Sequence, residues 1–308
     1  MKTIRLLYPD HLSGGLDTYY FGANLLTHIL PANENQPLLR VEIAPPDGKE
    51  RAVTDGVRAR EEVAKGIRRA AQVIEEAQPD RIITIGGNCI VSQAPFDYLH
   101  GRYGSVGIIW IDAHPDVSTP ADGYPNAHAM VLGSLMGNGD QELSALMKHP
   151  KFRADEILYV GLQGLHVYQE RFLKESGVAY KVQTEDFVSD EEIQAFLRRF
   201  DHILVHLDID VLDPWLFHST YFANPTLTGD GSGGGRMTME QLAHVLHTIT
   251  NQSDVVGLTI AEYLPFDEEK LHNIFADLSV HGITQESAKK AGRRFLNLRP
   301  TCFVSWIG

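Results

Sequence analysis

A chain of 308 residues, 43% hydrophobic and 22% charged, can bury most of the surface it exposes when unfolded, which excludes disordered, collagenous and coiled-coil readings. Its 27 basic and 40 acidic residues leave a formal charge of −13, which argues against nucleic acid or an anionic membrane as the main partner and suits a cationic substrate. Two cysteines, Cys89 and Cys302, are too few for a disulfide scaffold, no signal-peptide core opens the chain, and no apolar run reaches the ~18 residues of a membrane span, so a cytoplasmic protein is expected. Short β-branched runs predict strands at 3–8, 81–85, 106–111, 157–160, 203–209 and 255–260, with a last one near 302–306. Several are apolar almost throughout, as parallel strands covered on both faces are. Helical periodicity predicts helices over 53–76, 190–200, 238–250 and 281–296. The alternation predicts an α/β fold, a parallel sheet with helices on both faces. The segment 213–236, with its glycine-rich stretch 229–235, is long for a connection and is a candidate functional loop. No linker or repeat divides the chain, so residues 1–308 read as one domain.

Two acidic clusters carry the chemistry. WIDAHPD, residues 110–116, ends an apolar strand in Asp112, His114 and Asp116. In an extended chain such alternate residues point the same way, and ligands of open α/β sheets collect at the carboxyl ends of strands. Two carboxylates and an imidazole brought to one spot are costly unless a cation lies among them. HLDIDVLDP, residues 206–214, ends a second strand in Asp208 and Asp210, with Asp213-Pro214 at the turn that follows. Each cluster alone can be a solvated turn or a helix cap, but the two together point to a metal centre. Carboxylate and imidazole donors suit Mn²⁺, Fe²⁺ or Zn²⁺ better than Mg²⁺ or Ca²⁺, and the aspartates can bridge a pair of ions.

DAHPD followed by DIDVLDP resembles the arginase and agmatinase (ureohydrolase) superfamily. Four further stretches resemble it in the same order along most of the chain: IGGNCIVS at 85–92 and the loop DVSTPADGYPNAHAM at 116–130 flank the first cluster, and GGGRMTMEQL with VVGLTIAEYLP follow the second. The resemblance implies a three-layer α/β/α sandwich with a mostly parallel sheet of about eight strands. It implies two Mn²⁺ ions whose shared hydroxide attacks a guanidino or amidine carbon, hence a hydrolase of linear C–N bonds other than peptide bonds. Carried over residue by residue, Asp112 and Asp208 bridge the metals, His114 and Asp210 complete one site, and Asp116 completes the other and meets the hydroxide. His128 becomes the proton shuttle and Glu262 the holder of the cationic substrate, with Asn126 and Ser118 as further substrate contacts. The family also implies a homo-oligomer, a trimer or hexamer.

Departures from the family pattern bear on metal and substrate. Cys89 stands where the family has a histidine ligand. It can ligate Zn²⁺ or Fe²⁺ as a thiolate, leave the first site empty and one ion on Asp112, His114, Asp208 and Asp210, or simply pack as a small apolar residue. Ser118 stands where arginases usually have asparagine, Pro125 replaces a serine expected to contact an amino-acid carboxylate, and GLQGLHVYQE at 161–170 lacks the acids expected to read an α-amino group, so arginine specificity is not carried over. His166 stands at a matching place instead, Asp122 and Glu170 have no assigned place, and Ala129 replaces a glycine after His128. His218, Tyr221 and Phe222 are either pocket mouth or loop surface, whereas His244, His247, His272 and Cys302 read as structural. Two alternatives stay open: a one-metal amidohydrolase akin to deacetylases, and a catalytically silent binding protein.

Overall fold

The computed structural model describes residues 1–276 except Thr228 and Asp230; the helix predicted at 281–296, the strand near 302–306 and Cys302 lie outside the described residues. The chain runs β1 (Thr3–Tyr8), α1 (Thr18–Ile29), β2 (Leu38–Arg40), β3 (Val53–Thr54), β4 (Val57–Arg58), α2 (Arg60–Ala77), β5 (Arg81–Gly86), α3 (Gln93–Arg102) and β6 (Val106–Ile111). It continues through α4 (Val131–Met136), α5 (Gln141–Ser144), β7 (Ile157–Val160), α6 (Val167–Ser176), α7 (Asp190–Leu197), β8 (His202–Asp208), α8 (Met239–Gln252), β9 (Val255–Ala261) and α9 (Phe266–Ala276). Seven strands form one sheet in the order β2-β1-β5-β9-β8-β6-β7, and every pairing in it is parallel.

Alternation along the strands divides the core between two faces. Ile4, Leu6 and Tyr8 of β1, Ile108 and Trp110 of β6 and Leu204 of β8 pack under α2, α3 and α4. Ile109, Ile111, Val205 and Leu207 face α7 and α8, while Leu7, Ile85 and Ile260 face α1. This is the three-layer α/β/α sandwich that the sequence implies, with seven sheet strands among the described residues. At the amino end of the sheet, Asp254 pairs with Arg81, where β5 begins, and with His202, where β8 begins.

The predicted helix at 53–76 is corrected: residues 53–58 form the β3–β4 hairpin, and α2 starts at Arg60. Asp55 at φ 47° and Gly56 at φ 82° make the hairpin turn, which helical spacing alone conceals. β2 has only three residues, none of them buried, so its hydrophobic signal is too short to read. α7 ends at Leu197, three residues before its predicted end, and α8 runs from Met239 to Gln252 rather than over 238–250.

Candidate metal centre and pocket

The four central strands, β5-β9-β8-β6, deliver the candidate residues at their carboxyl ends. Asp112 follows β6 directly and is fully buried. Its Oδ2 accepts from Trp110 Nε1 at 2.9 Å and its Oδ1 from the His114 amide at 2.7 Å. Asp208 closes β8, accepting from the Asp210 amide at 2.7 Å and from the Cys89 thiol at 2.8 Å. His114 Nε2 donates to the Gly233 carbonyl at 2.9 Å, which turns Nδ1 toward Asp210 Oδ2 at 3.0 Å. The glycine-rich loop therefore lies against the centre, and the Gly235 amide donates to the Asp210 carbonyl at 2.8 Å. Gly235 is required at that approach, because a Cβ there would sit 1.9 Å from the Val211 carbonyl oxygen.

The turn after β5 is held by a buried polar network. Asn88 accepts from Ser13 Oγ at 2.7 Å and donates to Asp10 Oδ2 at 3.0 Å. Asp116 and Glu262 both sit in the left-handed region, at φ 52° and 61°, where non-glycine residues are uncommon and cost about 1–3 kcal/mol. The Glu262 amide donates to the Gly87 carbonyl at 2.7 Å, and Gly133 N donates to the Asp116 carbonyl at 2.9 Å, which hold those conformations.

Ligand-type atoms gather in overlapping groups, each with its members within 4.8 Å of one another: Cys89, Asp112, Asp116 and His206; Asp112, His114 and Asp210; Asp208, Asp210 and Glu262; and Cys89, His128 and Glu262. Burial and, behind it, repulsion among the acids raise Asp116 and Asp208 well above the usual carboxylate range. Burial likewise brings Asp112 to about 7 and pushes the Cys89 thiol up. Asp210 stays low despite its burial because His114 faces it, and His114 is raised in return. Buried carboxylates whose charges repel one another are the setting a divalent cation relieves. Asp116 Oδ2 and Asp210 Oδ1 are buried without a hydrogen-bond partner, so lone pairs are available to such an ion. Donor types and spacing thus fit a metal pair.

A pocket of about 550 Å³, its open mouth included, lies over this centre. Cys89, His114, Asp116, Ser118, His128, Asp208, Asp210 and Glu262 reach it, beside Tyr19, Tyr124, Tyr221 and Phe222. His128 Nδ1 meets Glu262 Oε1 at 2.7 Å, and Tyr124 OH lies 3.2 Å from His128 Nε2. Tyr19 OH donates to Glu262 Oε2 at 3.1 Å. Ala129 is not among the residues at positive φ, which is why alanine is tolerated after His128.

Asn126 is not among the residues that line the pocket: its Oδ1 accepts from Arg58 Nε at 3.1 Å, and its Nδ2 donates to the Gly14 carbonyl at 3.3 Å and to the pocket residue Tyr124 at 3.1 Å. Asp122 caps the turn at Thr119, Glu170 pairs with Lys174, and His166 precedes α6; none of the three lines the pocket. Tyr221 and Phe222 are pocket wall, while His218 is exposed on the same loop and does not line the pocket. His244 pairs with Asp190 at 2.8 Å on the helix surface. The sequence reading missed Tyr19, Tyr124 and His206. Only His206 carried a signal, two residues before Asp208 and so on its side of the strand.

The Arginase family profile matches residues 40–288. The arginase of Entamoeba histolytica is 29% identical over 176 residues, 54% of this chain and 55% of that protein. The arginase of Bacillus caldovelox is 28% identical over 184 residues, 56% of this chain and 60% of that protein. The chain thus spans little more than half the length of these curated relatives. In three dimensions it resembles the Entamoeba histolytica arginase solved with L-ornithine, at TM-score 0.70 and 20% identity over 85% of this chain and 91% of that one. The Bacillus caldovelox arginase follows at TM-score 0.67 and 19% identity, over 86% and 92%. At that identity the likeness speaks for the fold: a parallel α/β sandwich of the ureohydrolase type. The chain belongs to the arginase family.

Proposed function

We propose that the protein is a hydrolase of linear C–N bonds in small guanidino or amidine cations, with two divalent ions held by Asp112, His114, Asp116, Asp208, Asp210 and Cys89. One observation carries the reading: the buried acids converge beneath a pocket whose described lining holds no lysine or arginine and which the His128–Glu262 pair flanks. Such a lining favours a cation and offers an amino-acid carboxylate no lysine or arginine, which speaks against arginine itself. When bound, the ions supply a nucleophile from water near neutral pH and offset the buried negative charge.

The chain's own groups do the rest. Glu262, fixed by Tyr19 and His128, grips the planar NH₂ fork of the substrate. Asp116 accepts a hydrogen bond from the attacking water and orients it. His128, anchored through Nδ1, delivers a proton from Nε2 to the departing amine as the C–N bond breaks. Tyr221 and Phe222 narrow the mouth and face the cation with their rings.

The test pairs metal analysis with a panel of guanidino and amidine compounds, following urea, ammonia or amine release. Two ions per chain and turnover that His128→Ala lowers about 10²–10⁴-fold are expected. Asp210→Ala should lose metal and turnover together; undiminished hydrolysis in that variant overturns the reading.

A further inference from the structure

We propose that Cys89, Asp112, Asp116 and His206 form a zinc-type site at the first metal position, with His206 supplying from β8 the imidazole that residue 89 lacks. The inference rests on the reading that this centre holds divalent ions. His206 is completely buried beneath the pocket. Its ring stacks on Trp110 at 3.6 Å and 7°, and Nδ1 lies 2.8 Å from Ser92 Oγ, so its orientation is fixed from two sides. Its other nitrogen, Nε2, has no hydrogen-bond partner and points at Asp112 Oδ2, 3.8 Å away. With Nδ1 donating to Ser92, Nε2 presents a lone pair to the cluster.

An imidazole nitrogen left unpaired in the interior is destabilising, which is poor design for a packing residue and good design for a ligand. Asp116 Oδ2, on the same cluster, is equally buried and unpaired. Bonds of about 2.0–2.3 Å to a tetrahedral ion put its donor atoms about 3.3–3.6 Å apart, so a cluster this compact closes with shifts of about an ångström. One sulfur, one nitrogen and two carboxylates are a borderline-soft set that favours Zn²⁺ or Co²⁺ over Mn²⁺. The neighbouring groups, Asp112 with His114 and Asp210 and Asp208 with Asp210 and Glu262, are oxygen-rich and carry no sulfur, so the two positions differ in the ion they prefer.

Cobalt reads this directly. The full chain, stripped with a chelator and reloaded with Co²⁺, should show an intense near-ultraviolet thiolate-to-cobalt charge-transfer band. Cys89→Ser should abolish the band and lower bound cobalt from two ions to one. His206→Gln should keep the fold by circular dichroism, weaken the first ion roughly tenfold or more and shift the visible ligand-field bands. Asp210→Asn should weaken the other ion and leave the charge-transfer band in place. X-ray absorption on the zinc-loaded wild type, which needs no variant to fold, should show a sulfur shell at about 2.3 Å together with imidazole scattering. A wild type without sulfur ligation, or a His206→Gln protein with unchanged affinity and spectrum, overturns the site. A charge-transfer band without guanidino or amidine turnover overturns only the proposed reaction, and turnover with all-oxygen-and-nitrogen cobalt overturns only this site.

Discussion

Asp112→Asn in metal-free protein isolates the cost of the buried acids. Burial brings Asp112 from 3.8 to about 7. At about 1.4 kcal/mol per unit, that is about 4 kcal/mol. The folded state holds the proton more tightly than the unfolded state. The associated stability is therefore intact below pH about 4, falls as pH rises toward 7, and is lost above it. Asparagine copies the protonated acid: either keeps one good acceptor for the two donors, Trp110 Nε1 and the His114 amide. Variant and wild type should melt together below pH about 4, where the acid is protonated in both states, while near pH 8 the variant should melt higher, by on the order of 5–10 °C. Saturating Zn²⁺ or Mn²⁺ should invert that order, because the ion replaces the proton in the wild type and the variant holds it poorly. Thermal unfolding followed by circular dichroism across this range, with and without chelator, is the assay. A gap that does not change with pH, or a variant that metal stabilises as much as it does the wild type, would refute the reasoning.

Three further outcomes are expected. Gly87→Ala puts a Cβ 1.7 Å from the Asp10 carbonyl oxygen, backbone against backbone, and should cost about 3 kcal/mol or more in denaturant unfolding. Tyr19→Phe removes the hydroxyl that donates to Glu262 Oε2 and should raise KM about tenfold, with bound metal unchanged by elemental analysis. Trp110 touches Asp112 through Nε1, so cobalt loading should quench tryptophan fluorescence in the wild type and much less in Trp110→Phe.

Much of this was legible in the residues. The strands that carry the centre are strongly apolar runs, and period-two alternation carried Asp112 and Asp208 to the same side of the sheet. Asp116 reached the centre by another route, a left-handed backbone that no spacing rule encodes. Tyr19 and Tyr124 were invisible, because their sequence neighbours carry no periodic signal and only tertiary packing aims them at Glu262 and His128. The partners of Asn126 were invisible too: its amide oxygen accepts from Arg58, which comes from a hairpin read as helix.

The place of β9 has a consequence for how the chain assembles. It joins two three-stranded halves, β2-β1-β5 and β8-β6-β7, which share no ladder with each other. Among the described strands it is also the last one synthesised. Until residues 255–261 enter, both halves present a bare inner edge, and an intermediate caught there is prone to wrong pairing. Asp254, pairing with Arg81 on one side and His202 on the other, ties both inner strands to the keystone at its leading end. Cys89 belongs to one half and the aspartates to the other, so ion capture reports closure of the arch, and its rate in refolding should follow the insertion of this one strand.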